Sequence, residues 1–439
     1  MPELRVLIVG ASIAGPCAAY WLARSGCSEV TVIERYPSFR RGGQNIDIRS
    51  YGVAVMRKMG DMEERVRSRL APFKGLELVN KTGRVLATMR ASGDADRQAL
   101  VSEFEIFRDD LSEIMYDLSL EAGKGNAGEP NRVRYVFGEQ ISSLAQPAGE
   151  NGPIKVEFAN GVLQPSEFDL VIACDGATSR TRALGFHCNV RDHIESIDAW
   201  GAYFSIPKSI LRDGQYGQGY SAVPGRFMGV GPDHDGKTNR VALVGIHPRT
   251  SETAPRMEEF RQASRMGTEA TKTFVADVFR GAGWQTEQLL ELMEKADNFY
   301  ASEMVQVKMP SLSQGRFVLC GDAGYAAGPT GTGTSLAMLG AYILAGEVAS
   351  HRNDLPSAIK AYEERMRPVI TESQKIPSGM PGIMAPQTTW GLMLRNIIFV
   401  VLCNLMALGS SLPLWLGGLF SIAFGNAHGT IIPEYDWGS

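Results

Sequence analysis

Nowhere in this chain do two cysteines stand as C-x-x-C, and its six histidines never pair as H-x-x-x-H. Cys17, Cys27, Cys174, Cys188, Cys320 and Cys403 have no finger-like spacing. That excludes a zinc module, leaves no metal site to expect, and reads as reduced thiols in an intracellular protein. Positive charge is not in excess: 44 Lys and Arg against 48 Asp and Glu leave a net −4, so nucleic acid is not an expected partner. A secretory leader is not expected either, because an apolar strand begins within a few residues of Met1, with no charged flank and cleavage site around it. No Ser–His–Asp set and no paired carboxylates stand out, so no catalytic side chain is assigned. Charge is nearly missing from one long stretch: between Lys375 and Glu434 the only full charge is Arg395.

What is present begins with the 439 residues themselves, 44% hydrophobic and enough for two or three domains. The opening stretch "VLIVGASIAGPCAAYWLARSG" (6–26) has the outline of a dinucleotide-binding turn. Leu4–Val9 suits a strand of a parallel sheet, buried on both faces. Gly10 supports the tight turn, and Gly15 lets the next helix lie close on the sheet. Ser12 takes the place where a second glycine usually lets the backbone approach a pyrophosphate; it is small, and smallness is what that position needs. Ile13 and Ala14 stand at the helix N-terminus, whose free N–H groups and positive dipole end face the phosphates. The helix should run to about Ser25, with Gly26 as its C-terminal cap. A second strand, Val30–Ile33, ends in Glu34 and Arg35. Glu34 lies about 20 residues beyond the loop, where an acid bonds ribose hydroxyls. A 2′-phosphate would be repelled there, so the tightly held nucleotide is FAD or NAD rather than NADP.

Two distant stretches extend the pattern. In "FDLVIACDGATSRTR" (168–182) an apolar strand runs into Asp175–Gly176. Just upstream, Asn160–Gly161 is a hairpin signal, so this part reads as a meander feeding the nucleotide sheet. In "GRFVLCGDAGYAAGPTGTGTSLAMLGAYILAGE" (315–347) the strand Arg316–Cys320 ends at Gly321–Asp322. A glycine-rich loop with Pro329, Gly331 and Gly333 follows, and a long apolar helix begins near Thr334–Ser335. Such a helix would aim its positive end at a bound ring that gains negative charge.

Together these residues resemble the single-component FAD-dependent monooxygenases related to aromatic hydroxylases, over about residues 4–367. The variants "GDAGY" and "GTS" are most similar to the tetracycline-inactivating flavin monooxygenases. The resemblance implies that Gly10, Ser12, Ile13, Ala14, Gly15, Glu34 and Arg35 hold the ADP part of FAD, and that Asp322 holds the ribityl chain. It associates Asp175 with both FAD and reduced nicotinamide, and Pro329, Gly331, Gly333, Thr334 and Ser335 with the flavin ring. Arg108, ahead of an amphipathic helix in "EIFRDDLSEIMYDL", resembles an arginine that contacts the FAD phosphates. The segment "RRGGQNIDIRS" (40–50), with Gly43, the strand Asn45–Ile48 and Asp47, resembles the one that passes beside the isoalloxazine. The implied reaction uses NADH or NADPH as a transient reductant, captures O2 as a flavin C4a-hydroperoxide, and inserts one oxygen into a lipophilic aromatic or polyketide-like substrate. A flavin-dependent reductase of prenyl chains and a non-catalytic flavin-binding protein remain alternatives. No second G-x-G-x-x-G and no W-x-W-x-I-P stretch is present, which argues against ketone-oxidising and halogenating flavoenzymes.

The expected fold is α/β. A discontinuous Rossmann-like FAD-binding domain takes residues 1–75, 98–185 and 300–375. A β-sheet substrate domain takes 76–97 and 186–299, with strands in "AWGAYFSI", "RFMGVGP" and "RVALVGIH". Tyr203, Tyr220, Phe227 and His247 are its candidate pocket residues. A C-terminal apolar helical tail takes 376–439. Three readings of that tail stay open: burial across the two domains, membrane association, and a dimer contact. The chain is otherwise expected to be cytoplasmic, with its oligomeric state unassigned.

Overall fold

The computed structural model describes residues 4–27, 29–39, 44–70, 74–90, 104–125, 130–147, 152–207, 210–211, 216–234, 236–351, 354–376, 382–383, 385–407 and 432–437. The apolar opening run is β1 (Arg5–Val9), with Val6, Leu7 and Ile8 fully buried at the middle of a six-stranded sheet. The strand order is β17 (Ser313–Gln314), β18 (Phe317–Leu319), β11 (Leu170–Ala173), β1, β2 (Glu29–Glu34), β7 (Val133–Phe137). All neighbours are parallel except the short edge pair β17–β18. Burial on both faces explains why these strands read as apolar runs rather than alternating ones.

One face is covered by α1 (Ala14–Arg24), packed against α4 (Arg108–Ala122) and α10 (Gly333–Ser350); α10 in turn packs on α11 (Leu355–Ser373). Helix α10 is buried from Ser335 to Ala349, as an apolar-all-round helix must be. Short helices α2 (Tyr51–Met56), α3 (Met62–Ser68), α5 (Arg180–Phe186) and α9 (Asp322–Tyr325) fill connections, and β3 (Asn45–Asp47) pairs antiparallel with β6 (Glu105–Phe107). The expected meander is β8 (Ile141–Ala145), β9 (Ile154–Phe158) and β10 (Ser166–Phe168), with Gly161 at φ 72° in the turn.

A seven-stranded sheet carries the second layer system: β16 (Tyr300–Val307), β12 (Ile194–Pro207), β15 (Thr238–Ile246), β14 (Arg226–Pro232), β13 (Tyr216–Ala222), β4 (Gly75–Val79), β5 (Val85–Arg90). Helices α6 (Arg256–Met266), α7 (Thr268–Phe279) and α8 (Thr286–Glu294) cover one face, around Trp200, which stacks on Phe260 at 5.3 Å. Among the described residues the other face carries a small cluster of Ala199, Val244, Ile246 and Ala385, with Phe227 and Met304 against it. Residues 300–307, expected in the nucleotide domain, are the edge strand of this sheet; pairing with β12 places them there, which no local pattern signals.

The tail divides. Helix α12 (Thr389–Ala407) turns Trp390, Met393, Leu394, Ile397, Ile398 and Val401 outward, while Arg395 points inward. Among the described residues no helix is long and apolar enough to cross a membrane, so membrane association finds no support; residues 408–431 lie outside the described ones. The chain end returns to the nucleotide sheet's helices. Trp437 packs on Trp21 at 4.5 Å, Tyr342 donates to the Pro433 carbonyl at 2.7 Å, and Tyr435 donates to Glu347 Oε1 at 2.6 Å.

Candidate active site

Three motifs far apart in the chain end adjacent strands. Ile8 pairs with Ile172 and Ile172 with Val318, so β1, β11 and β18 lie side by side. Their carboxyl ends bring the Gly10–Gly15 loop, Asp175–Gly176 and Gly321–Asp322 to one edge, where open α/β sheets bind ligands. The packing there demands bare backbone. A Cβ on Gly10 (φ 109°) would stand 2.6 Å from the Cys174 carbonyl oxygen, and one on Gly15 would stand 1.9 Å from the Gly10 carbonyl oxygen. One on Gly321 would stand 2.8 Å from Ala14 Cβ, so the Gly–Asp loop sits against the start of α1. Ile13 is the N-cap of α1, and no acid occupies the helix's first turn. Ser12 Oγ lies a long 3.4 Å from Ser112 Oγ on α4.

Glu34 closes this loop from the side. Its Oε2 accepts the Ala11 N–H at 3.0 Å and its Oε1 accepts the Tyr36 N–H at 3.1 Å, so the acid that ends β2 also holds the glycine turn in place. Arg35 is exposed and lies over the Tyr36 ring. Arg108 opens α4, and its N–H donates to the Gln44 carbonyl. Gly43 lies outside the described residues.

Asp322 is open to solvent at its surface yet surrounded by protein, the position of a carboxylate on the floor of a cleft. That burial raises its pKa, and nearby Arg108 pulls it back down. The loop before α10 passes between two acids: Cβ atoms on Gly331 (φ 73°) and Gly333 would lie 3.8 Å from Asp47 Oδ2 and from Asp322 Oδ1 respectively. Burial raises Asp47 too, opposed by its 2.7 Å ion pair with Arg49. Ser335 Oγ accepts the Arg49 N–H at 2.9 Å, which ties the segment after β3 to the first turn of α10. Pro329 and Thr334, in the same loop and first turn, are partly accessible. Asp175 is committed elsewhere. Its carboxylate accepts from the Ser179 hydroxyl and from Thr181 Oγ1 at 2.9 Å, bracing the start of α5. Burial raises its pKa, and those bonds lower it. Arg182, buried beneath, donates to the Ala177, Ala323 and Val190 carbonyls and so fastens the Asp–Gly loop to the Gly–Asp loop.

The four pocket candidates separate by face. Tyr203 and Phe227 lie on the sparsely covered face of the large sheet. Tyr220 and His247 do not: both point into the core beneath α6–α8. Tyr220 belongs to that core and donates to the Ala282 carbonyl at 2.9 Å; His247 stacks on Trp200. Burial, with Arg256 and Arg226 nearby, lowers the His247 pKa to about 4. Side-chain parity along β13 and β15 sends them to the side the helices occupy. Sequence reasoning missed the inward role of Arg395. From α12 it donates to Ser221 Oγ at 2.8 Å, at the end of the open face, and burial lowers its pKa to about 10. Its isolation in an otherwise uncharged stretch was the available signal.

Residues 3–375 match the family described as FAD binding domain. The chain belongs to the flavin-dependent monooxygenases. It is 32% identical over 443 residues to Monooxygenase CTB7 of Cercospora beticola, covering 99% of this chain and 98% of that one. It is 29% identical over 427 residues to FAD-dependent monooxygenase asL4 of Sarocladium schorii, covering 92% and 94%. The solved structure of tetracycline destructase Tet(55) superposes with a TM-score of 0.74 at 27% identity, covering 99% of this chain and 100% of that one. The cofactor is FAD, and the residues present fit it. An anion-ready helix end, a cleft-floor carboxylate, and glycine backbone laid bare between two acids match a ligand with phosphates, sugar hydroxyls and a flat ring.

Proposed function

We propose that this monooxygenase uses NADH or NADPH as a transient reductant and inserts one oxygen atom from O2 into a lipophilic aromatic or polyketide-like substrate. In this reading Gly10–Gly15 and the α1 N-terminus bind the FAD pyrophosphate with Arg108, Glu34 bonds the ribose, and Asp322 bonds the ribityl chain. Gly331, Gly333 and the start of α10 meet the flavin ring, with Asp47 beside them. Asp175 acts as a positioning residue, through α5 and Arg182. FAD, when bound, supplies the reduction and O2 chemistry. The chain's own residues orient the reactants and keep the cleft dry. Residues of the nucleotide sheet form the FAD domain and 186–307 most of the substrate domain.

The observation that carries this reading is an adjacency. Val307 of β16 donates to the Ala326 carbonyl at 3.0 Å, and Gln306 bridges to Ala327, so the large sheet adjoins the loop leading to Gly331–Ser335. On the open face itself, Arg240, two residues along β15 from Ala242, lies over the Phe107 ring at 4.2 Å, so this face reaches the start of α4 beside Arg108. The test is substrate-stimulated NAD(P)H oxidation under isotope-labelled O2, over a panel of phenols and polyketide-like enols. One labelled oxygen atom per product is expected. Products that draw their oxygen from water, or a complete lack of stimulation, would overturn the reading.

A further inference from the structure

Tyr203 and Phe227 do not stand up from their sheet. A Cβ on Gly201 would come within 2.5 Å of Tyr203 Oη and 2.8 Å of its Cζ, so the phenol ring folds back along β12 over Gly201. The outer edge of the Phe227 ring lies over a glycine pair. Cβ atoms on Gly219 and Gly229 would sit 3.2 Å and 3.3 Å from it, and Gly219 and Gly229 are cross-strand partners. Same-face residues two apart on a strand are where a ring can lie down, but only if the neighbour lacks a side chain.

Register makes the two rings parts of one surface. One row runs Tyr300, Tyr203, Ala242, Gly229, Gly219; the next runs Ser302, Gly201, Val244, Phe227, Ser221. Tyr203 leans from the first row into the second, and Phe227 leans from the second into the first. Only Ala242 and Val244 lie between them. Strand spacing makes this stretch roughly 14 Å wide from β12 to β13. Tyr300 stacks with Tyr203 at one end (6.4 Å, 21°), and Arg395 bonds Ser221 at the other.

Resting on the monooxygenase reading above, we propose that these two recumbent rings form a flat stacking floor that selects planar aromatic substrates, with Gly201, Gly219 and Gly229 as the specificity-determining positions. Low relief excludes puckered, saturated rings from close contact, while a planar ring system gains offset stacking along the whole floor. A methyl group at Gly229 would push the Phe227 ring aside by a few tenths of an ångström and itself stand up from the floor beside it.

The experiment titrates the FAD-loaded protein with 1-naphthol and with its puckered counterpart 5,6,7,8-tetrahydro-1-naphthol, following the flavin absorbance. Wild type should bind naphthol at least threefold more tightly. Gly229→Ala should bring the two affinities close to parity, with KM for naphthol rising more than kcat falls. Phe227→Leu, which disturbs no glycine, should do the same and decides the matter if Gly229→Ala does not take up FAD. Equal binding of both phenols by wild type, no flavin perturbation by naphthol, or an unchanged preference in Phe227→Leu would overturn the floor. A planar preference without labelled oxygen in any product would support the floor while sinking the oxygen-insertion reading.

Discussion

Replacing Glu34 tests the nucleotide end of the site most directly. Its carboxylate does two jobs in one place: it accepts the Ala11 and Tyr36 N–H groups at 3.0 and 3.1 Å, and it is the proposed acceptor for the ribose hydroxyls. Glu34→Ala removes every acceptor. A hydrogen bond to a charged group is worth about 1.5–3 kcal/mol, so FAD affinity should fall roughly ten- to a hundredfold. Two backbone N–H groups also lose their partner, so the apoprotein's melting temperature should fall with it. Glu34→Gln keeps the shape and one acceptor oxygen but turns an NH2 group toward one of those N–H donors, and should give an intermediate dissociation constant. The assay is quenching of FAD fluorescence on titration into apoprotein, with melting followed in parallel. An unchanged dissociation constant in Glu34→Ala would refute the ribose role. A fall in melting temperature alone would reduce Glu34 to a brace for the loop.

Ser12→Gly should change FAD affinity by less than about threefold, because the 3.4 Å contact to Ser112 is too long to matter much; a tenfold loss would make the hydroxyl a phosphate ligand. Burial of Glu139 favours its protonation, but the backbone N–H groups of Asn160, Gln140, Leu163 and Val162 outweigh that and hold its pKa below the ordinary value. A depressed folded-state pKa contributes stability above the unfolded value of about 4.3, lost as pH falls through the folded one. Denaturant midpoints measured from pH 6 downward should therefore fall less steeply in Glu139→Gln than in wild type, and parallel curves would contradict the assignment. Trp437→Ala should cost about 2 kcal/mol of stability, as for a half-buried tryptophan losing its packing on Trp21 and Tyr342, and so lower the melting temperature. No shift would mean the chain end is not a structural clasp.

Much of the nucleotide half was legible because its signals are local. A tight turn needs Gly10 and Gly15 whatever surrounds it, β2 ends in its acid at the expected distance, and α10 starts at Gly333, one residue before the position read from its apolar run. Asp175 was legible as a motif but not in its partners, since only the folded loop turns its carboxylate toward Ser179 and Thr181.

The sequence by itself determined the family, the cofactor and the three loops that frame the site, because each is a short run whose backbone conformation its own residues dictate. The tertiary structure decided which side chains of the large sheet lie on its open face. Alternation along a strand sorts residues into two sets, but the set left on the open face depends on which side α6–α8 cover, and that is a long-range choice. It sent Tyr220 and His247 into the core and left Tyr203 and Phe227 on the open face. It also joined β16 to β12 and turned Arg395, the one full charge between Lys375 and Glu434, toward Ser221, because burying it is tolerable only where hydrogen-bond acceptors await it.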